Sequence, residues 1–247
     1  IHEYIRKTQP KTAVVVGGGF IGLEMAENLT HAGIAVTVVE FADHVIGPID
    51  YDMACEVHRY LRHEGIELLL SRAVKSFHPG ESALAVELDN GGVLQTDMVL
   101  MSVGVRPDSA LAKSAGIGTN PRGAILVDDH MRTSDENIYA VGDAVEVKHQ
   151  VSAMPAYIPL AGPANKQGRI AADNICGTDS VYRGSQGSSI LKLFDMTVAS
   201  TGLNESGAKA AGIDFDKIQT YSASHATYYP GANNISIKTI FEKKTGR

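Results

Sequence analysis

The stretch from Thr12 to Glu40 most constrains what this chain of 247 residues can fold into. It reads TAVVVGGGFIGLEMAENLTHAGIAVTVVE, which is an apolar run, a cluster of glycines, a segment with helical periodicity and a second β-branched run that ends at an acid. β-Branched runs favour strands, and apolar residues at three- and four-residue spacing indicate a helix. The stretch therefore predicts a strand, a glycine turn, a helix and a second strand.

Three glycines at the spacing GxGxxG determine what the turn can do. Gly17 lets the chain turn sharply off the strand, Gly19 lets bare main chain approach a pyrophosphate, and Gly22 lets the helix pack close to the sheet. The start of the helix favours an anion, because its first N–H groups lack partners and the helix dipole is positive there. We interpret the stretch as a dinucleotide-binding unit. A glycine-rich turn in another kind of α/β protein is the alternative.

The acid that ends this unit indicates which dinucleotide is bound. Glu40 lies 18 residues beyond Gly22, where a carboxylate can accept hydrogen bonds from both hydroxyls of an adenosine ribose. A 2′-phosphate would meet like charge there, and no arginine between Phe41 and Pro48 compensates for it. The sequence thus favours NAD(H) over NADP(H).

Composition and charge exclude several other classes of protein. With 44% apolar residues, the chain can bury one large or two modest cores. The net charge of −6 and the lack of a long basic run argue against nucleic acid and membrane surfaces as partners. The sequence contains neither an apolar stretch near the ~18 residues of a membrane span nor a signal segment. We expect a soluble, cytoplasmic protein.

The cysteines and histidines have no metal-binding spacing. Cys55 and Cys176 fall in separate helix-patterned segments and form no CxxC pair, so we expect two buried thiols without a function. The nine histidines are scattered without an HExxH cluster. No metal site is predicted.

The segment after Glu40 continues as an α/β domain with an insertion. Asn90-Gly91 between two alternating runs is the strongest hairpin signal in the chain, and it indicates an inserted antiparallel meander. The predicted elements are a helix at 51–63 closed by Gly65, strands at 66–70 and 98–103, and meander runs at 73–77, 83–88 and 93–96.

Two further glycines follow strand-patterned runs, and ligands of open α/β sheets bind beyond strand ends. Gly104 is predicted to pass beneath the dinucleotide, or else to be a turn glycine before a helix at 108–115. Gly142 follows a predicted strand at 138–141, and the carboxylate of Asp143 can accept hydrogen bonds from ligand hydroxyls. A turn or N-cap role is the alternative for Asp143.

The rest of the chain alternates short strands with two helices. Loop-like composition at 116–123 marks a domain boundary, and small apolar residues open the helix that begins near Pro159. The predicted elements are strands at 125–127, 190–194, 197–200, 218–222 and 235–241, and helices at 159–175 and 205–211.

Three separated motifs resemble those of the pyridine nucleotide-disulfide oxidoreductases, flavoenzymes that pass electrons from NAD(P)H through FAD. They are GGGFIGLE with Glu40, VGVRP at 103–107 and TSDENIYAVGDA at 133–144. Within that group, the segments at 159–169, 194–205 and 225–232 are most similar to coenzyme A disulfide reductases and their NADH oxidase and persulfide reductase relatives. The resemblance covers essentially the whole chain in matching order.

The resemblance implies an α/β fold with three parts. These are a Rossmann-like NAD-binding domain with the inserted meander at 1–115, the C-terminal part of an FAD-binding domain at 116–180, and an incomplete α+β dimerisation domain at 181–247. It implies FAD and NAD as cofactors, a small sulfur compound as substrate and a homodimer as the assembly.

The resemblance also implies roles for individual residues. Glu24 would lie near the nicotinamide, Phe20 would stack on the flavin side, and Tyr228 and Tyr229 would act catalytically by reaching into the partner's active site. Packing is the alternative for the two tyrosines. The cofactor-binding set is Gly17, Gly19, Phe20, Ile21, Gly22, Glu24, Glu40 and Gly104 for NAD, with Gly142, Asp143, Leu160 and Ala161 for FAD.

The sequence also departs from the family pattern. The family's first FAD-binding segment and its redox-active cysteine have no counterpart here, and the chain begins at Ile1 without an initiator methionine. We expect a fragment that is inactive alone and lacks stoichiometric FAD, with hydride passing from NADH to FAD and on to a cysteine outside this chain. A flavin-free NAD-dependent dehydrogenase and a nonenzymatic NAD-binding module are the alternatives.

Overall fold

The computed structural model describes residues 1–80 and 83–246. A 3₁₀ turn occupies Gly142–Ala144. The elements in chain order are α1 (His2–Thr8), β1 (Thr12–Val16), α2 (Phe20–His31), β2 (Ala35–Glu40), α3 (Tyr51–His63), β3 (Glu67–Leu70), β4 (Val74–Pro79), β5 (Leu84–Leu88), β6 (Val93–Thr96), β7 (Met98–Met101), α4 (Ala110–Ser114), β8 (Ile125–Leu126), β9 (Val145–Lys148), β10 (Pro155–Ala156), α5 (Ala161–Ile175), β11 (Ser189–Leu193), β12 (Met196–Ser200), α6 (Glu205–Ala210), β13 (Phe215–Ala223) and β14 (Asn234–Glu242).

A parallel sheet in the order β3-β2-β1-β7 forms the centre of the first part of the chain. Val15 is fully buried among apolar residues of α2 and α3, while Val14 packs with residues of β5. Both faces of the sheet are therefore covered, which explains why β1 is apolar at consecutive positions. The predicted Rossmann-like α/β fold is confirmed.

The predicted meander is present as the antiparallel sheet β4-β5-β6. Its tight connection has Gly91 at φ +82°, and the N–H of Gly92 donates to the side-chain oxygen of Asn90 at 3.0 Å. A left-handed conformation of this kind favours glycine and explains the Asn-Gly signal.

Contacts divide the chain into two compact units, each with its own core. The first comprises Ile1–Gly104, Leu191–Val198 and Lys217–Thr239, and the second comprises Val105–Ile190, Ala199–Asp216 and Ile240–Arg247. Arg247, the end of the predicted third domain, lies outside the described residues. The three-domain division at 115 and 180 stays a prediction.

Charged residues connect β14 to α3 within the first unit. The Lys238 ammonium lies 3.0 Å from an oxygen of Asp50 and 2.7 Å from one of Asp52, and its side chain is only 6% exposed. The Ser236 hydroxyl contacts both carboxylate oxygens of Glu56, at 2.7 and 2.8 Å. The hairpin of β13 and β14 is thus attached to α3 by polar contacts, which the apolar pattern of the sequence did not indicate.

The second unit has a small sheet in the order β10-β9-β8, covered by α5. The predicted strand at 138–141 is wrong. There the main chain is engaged in local turn contacts, since the N–H of Ile138 donates to Asp135 O at 3.1 Å and Tyr139 makes only an isolated bridge to Arg132. The sheet instead uses β9 and β10, which the sequence analysis missed.

Other predicted boundaries shift by a few residues. β7 ends at Met101 rather than 103, α4 is shorter than 108–115, and α5 begins at Ala161 rather than 159. Among the described residues, no helix combines the length and the apolar character that a membrane crossing requires.

Candidate dinucleotide-binding site

The glycine turn lies between the ends of β1 and α2 and is held by both neighbouring strands. The N–H of Gly17 donates to Val39 O and the N–H of Ser102 donates to Val16 O, each at 2.8 Å. Gly17 has φ +109°, and a Cβ there would lie 2.2 Å from the Ser102 carbonyl oxygen. Only glycine fits, so the sharp turn inferred from the sequence has a steric cause.

The other two glycines of the motif differ in their surroundings. A Cβ on Gly22 would lie 2.0 Å from the Gly17 carbonyl oxygen, so α2 is pressed against the turn. A Cβ on Gly19 would meet no atom of the described residues within 4 Å. Gly19 is the N-cap of α2, and its open side fits the approach of a phosphate to unpaired helix N–H groups.

The carboxylate of Glu40 contacts the same turn. One oxygen accepts from the N–H of Gly18 at 2.5 Å and the other from the N–H of Ala42 at 2.7 Å. An ionised carboxylate has about four acceptor positions, so positions remain for two ribose hydroxyls. Gly18 was not singled out from the sequence, although it is the middle glycine of the run.

The remaining predicted NAD residues lie on α2 and after β7. Phe20 is half-buried against the core of the first unit, whereas Ile21 is 57% exposed and Glu24 is exposed. Gly104 has φ +94°, a conformation that favours glycine, and a Cβ there would meet no described atom within 4 Å. The turn, Glu40 and the start of α2 form one cluster, while Glu24 lies a helical turn further along.

An arginine that is remote in sequence pairs with the strand end at Glu40. The N–H of Arg72 donates to Glu40 O at 3.0 Å, because β3 lies beside β2. Its guanidinium donates through Nη1 to Ser71 O at 2.7 Å. Sheet pairing therefore brings the main chain of Arg72 to the end of β2, although the two residues are 32 positions apart.

The predicted FAD residues form a second cluster, within the second unit. Gly142 has φ +78° and donates its N–H to the side-chain oxygen of Gln167 at 2.7 Å. Leu160 is the N-cap of α5 and Ala161 is its first residue. Gln167 is 1% exposed, so it fixes the 3₁₀ turn against the helix. A buried helical amide gives no sequence signal, and this contact was missed.

Asp143 lies on that turn with an exposed side chain. Its charge, together with burial as the larger cause, raises the pKa of the nearby Tyr157 phenol. An exposed carboxylate beside the open N-terminus of a 15-residue helix is suited to hydroxyl and polar ligand groups. These residues fit one side of a flavin nucleotide site.

Tyr228 and Tyr229, for which the alternatives were a catalytic role and packing, do not lie on a strand. They lie in the connection between β13 and β14, 83% and 61% exposed, with ring centroids 4.9 Å apart. Two exposed aromatic rings on a hairpin tip are available for a contact outside the chain.

The expectation of buried cysteines is wrong. Cys55 and Cys176 are free and exposed. Cys55 lies on the outer face of α3, although Ala54 beside it is buried, and Cys176 caps the C-terminus of α5. Both cysteines lie in or at the end of a helix, as the sequence predicted, but both are exposed to solvent instead of buried.

Within the second unit, Asp128, Asp129 and His130 lie close enough together to be potential metal ligands. His130 lies 2.9 Å from Asp129 and 2.9 Å from Asp179, and the hydrogen bond to Asp179 raises the pKa of the imidazole. Ion pairing accounts for this group, and the prediction of no metal site stays a prediction.

Comparison with known proteins identifies relatives of this fold. Residues 2–168 match the family Pyridine nucleotide-disulphide oxidoreductase. An NADH oxidase of Methanocaldococcus jannaschii is 38% identical over 244 residues, which are 98% of this chain and 54% of that protein. The crystal structure of reduced CoADR-RHD of Bacillus anthracis gives a TM-score of 0.95 at 47% identity, covering 98% of this chain and 43% of that one.

A third relative has a sulfur substrate in its name. The structure of an NAD-dependent persulfide reductase from A. fulgidus gives a TM-score of 0.95 at 40% identity, covering 98% of this chain and 45% of that one. The chain spans about half the length of the curated relatives that it matches, 55% and 54% for two of them. With the glycine turn and Glu40 in one cluster and a family match over most of its length, this chain belongs to the pyridine nucleotide-disulphide oxidoreductases.

Proposed function

We propose that this chain carries the NADH site and part of the FAD site of a cytoplasmic flavoprotein. The protein would reduce coenzyme A disulfide, a persulfide or a polysulfide, or would pass electrons to oxygen as an NADH oxidase. The observation that supports it most is the contact of the Glu40 carboxylate with the N–H of Gly18 at 2.5 Å. This contact connects the acid proposed to bind the ribose with the turn proposed to bind the pyrophosphate.

The NADH half of the proposal assigns one task to each part of the first cluster. The open main chain at Gly19 and the start of α2 would hold the pyrophosphate. Glu40 would hold the adenosine ribose. Ile21 and Glu24 would lie toward the nicotinamide, with Phe20 and Gly104 beside the dinucleotide. The repulsion between Glu40 and a 2′-phosphate would favour NADH over NADPH.

The FAD half of the proposal rests on the second cluster. Asp143 would accept hydrogen bonds from the ribityl hydroxyls, with Gly142 held by Gln167. Leu160 and Ala161 would present main chain to the ring. The chemistry that bound FAD supplies is acceptance of a hydride from NADH and onward transfer of its electrons. With coenzyme A disulfide, one NADH and one proton would yield NAD⁺ and two thiols.

The assembly in this proposal is a homodimer. Tyr228 and Tyr229 would extend from the hairpin of β13 and β14 toward the partner's active site, which their exposure and hairpin position support. The division into an NAD-binding domain at 1–115, part of an FAD-binding domain at 116–180 and part of a dimerisation domain at 181–247 belongs to the same proposal.

The experiment that tests this function compares electron acceptors. The protein that contains this chain is supplied with FAD, and NADH consumption is followed with coenzyme A disulfide, a persulfide, a polysulfide or oxygen alone. We expect a flavin absorption spectrum and NADH consumption with at least one of these acceptors. Consumption only under oxygen would identify an NADH oxidase.

The two alternatives give different results in the same assay. A flavin-free dehydrogenase would show no flavin spectrum and would oxidise NADH only with a hydride-accepting substrate of its own, outside this set of acceptors. A nonenzymatic module would bind NADH without consuming it. For this chain alone we expect NADH binding, no stoichiometric FAD and no turnover, because Cys55 lies within α3 and Cys176 at the C-terminus of α5, and neither is at a helix N-terminus that would activate a thiol.

A further inference from the structure

His58 is a buried histidine that the proposed function does not use. It lies on α3 and is only 4% exposed. Its Nε2 accepts a hydrogen bond from the main-chain N–H of Val45 at 3.2 Å. The imidazole must be neutral at that nitrogen, because a protonated nitrogen cannot accept.

The segment that His58 contacts lies against the glycine turn. Val45 is fully buried, and its Cγ1 is 2.8 Å from where a Cβ on Gly18 would lie. The next N–H, of Ile46, donates to Gly18 O at 3.0 Å. Gly18 is therefore held on its carbonyl side by this segment and on its N–H side by Glu40.

The same segment has an unfavourable backbone conformation. Ile46 has φ +57°, a left-handed conformation that β-branched residues rarely adopt. Such a conformation persists only where the surroundings enforce it. Two hydrogen bonds hold the main chain here. The N–H of Val45, one residue before Ile46, donates to His58, and the N–H of Ile46 itself donates to Gly18 O.

We propose that His58 is a positioning residue for the dinucleotide, because its bond to Val45 holds the 45–46 main chain against Gly18 and so aligns the turn with Glu40. The inference rests on the proposed NADH site and goes beyond it by adding a residue that touches no ligand. If His58 has this role, a variant without a hydrogen-bond acceptor at position 58 should bind the nucleotide more weakly, although every group proposed to contact the nucleotide is still present.

The charge environment of His58 gives this role a pH dependence. Burial lowers its pKa from the ordinary 6.5, Arg62 and His44 lower it further, and Asp43 opposes them. The ring of Tyr51 packs against it edge-on, with centroids 6.2 Å apart. Since the pKa is lowered, the hydrogen bond is fully present above 6.5 and is lost as the pH falls through the lowered value.

The experiment measures NADH affinity of this chain by calorimetry in three variants. His58→Leu removes the acceptor, and His58→Gln supplies an amide oxygen in its place. His63→Gln is the matched control, an exposed histidine on the same helix with 83% side-chain exposure. We expect His58→Leu to raise the NADH dissociation constant about tenfold, the effect of one hydrogen bond to a buried N–H, and both glutamine variants to stay within about twofold of wild type.

A pH series tests the mechanism and remains informative if His58→Leu does not fold. Wild type should lose NADH affinity as the pH falls through the lowered pKa of His58, which lies below 6.5, and His58→Gln should have a flatter profile. The His63→Gln control should keep the wild-type profile, which assigns the effect to His58. Circular dichroism at each pH confirms that the chain is folded.

Two results separate this inference from the proposed function. If wild type binds NADH but the folded His58→Leu variant binds equally well, or if wild type and His58→Gln have the same pH profile, the role of His58 is wrong and the NADH site stands. If wild type binds no NADH at all, the proposed site itself is wrong and the inference falls with it.

Discussion

The carboxylate of Glu40 accepts the N–H of Gly18 at 2.5 Å, so the acid at the end of β2 and the turn after β1 form one hydrogen-bonded unit. The two residues are 22 positions apart, and parallel pairing of β1 with β2 brings them together. The proposed ribose ligand thus also orients the turn proposed for the pyrophosphate. A substitution at Glu40 or at Gly18 should therefore weaken the binding of both the adenosine ribose and the pyrophosphate.

Two glycines of the motif, Gly19 and Gly22, should separate nucleotide binding from stability. Gly19→Ala introduces a methyl group where no described atom lies within 4 Å, so we expect a loss of stability no larger than about 1 kcal/mol. The methyl group would occupy the proposed phosphate position and raise the NADH dissociation constant about tenfold or more. Calorimetry and urea unfolding measure the two effects.

Gly22→Ala is the matched contrast. Its Cβ would lie 2.0 Å from the Gly17 carbonyl oxygen, so the main chain must move, at a cost of roughly 1–3 kcal/mol. Equal stability of the two alanine variants would contradict the geometry of the turn.

Gln167→Leu should destabilise the second unit. The change leaves the N–H of Gly142 without its acceptor in a well-packed region, at a cost of about 1–3 kcal/mol. Asn165→Leu, an exposed amide on the same helix, should change the free energy of unfolding by less than about 0.5 kcal/mol. Urea unfolding of both variants provides the comparison, and similar midpoints would show that the contact has no energetic weight.

Lys238→Met should loosen the hairpin of β13 and β14. The lysine is 6% exposed and contacts Asp50 and Asp52, so its replacement removes the ammonium from a largely buried ion pair, at a cost of about 3 kcal/mol. Lys192→Met on the exposed face of β11 is the control. Hydrogen exchange of the β14 amides should accelerate in Lys238→Met and not in the control. Unchanged exchange in Lys238→Met would rule out the anchoring role.

Asp97→Asn should reveal a pH-dependent clamp at the start of β1. Asp97 accepts from the N–H of Lys11 at 2.7 Å and of Thr12 at 3.0 Å, and these bonds hold the pKa of the carboxyl below its ordinary 3.8. The stabilisation is therefore present above 3.8 and is lost as the pH falls through the lowered value. The difference in urea midpoint between wild type and Asp97→Asn should be larger at about pH 7 than at about pH 3.5. A difference independent of pH would show that ionisation is not the cause.

Local sequence patterns predicted most of the fold. The elements of the Rossmann-like sheet were predictable because each depends on neighbouring residues, as in the glycine turn that Gly17 makes and the hairpin at Asn90-Gly91. The strand at 138–141 was wrong because short β-branched runs can equally satisfy their hydrogen bonds in turns. Strand β9 has a similarly short apolar pattern. It pairs with β8, and no local pattern in the sequence predicts that pairing.

Apart from Gly18, the parts of the candidate site that were missed depend on non-local contacts. His58, Arg72 and Gln167 each bond to main chain far away in sequence, and no spacing rule connects them with the turn or with Gly142. The exposure of Cys55 was missed because α3 is amphipathic and the cysteine lies one position away from its buried face. A single sequence shows the periodicity of a helix. It does not show whether a residue at the edge of the apolar face points toward the core or toward solvent.

The most direct test of the central claim is calorimetric titration of this chain with NADH and NADPH, in wild type and in Glu40→Ala. Charge-assisted hydrogen bonds are each worth roughly 1.5–3 kcal/mol. NADH should therefore bind at least about tenfold more tightly than NADPH, and Glu40→Ala should lose at least about tenfold in NADH affinity and most of that preference. Glu136→Ala, which changes an exposed acid of the second unit, should change neither value. Equal affinity of wild type for the two nucleotides, or full NADH affinity in Glu40→Ala, would contradict the assignment of this turn and this acid as the NADH site.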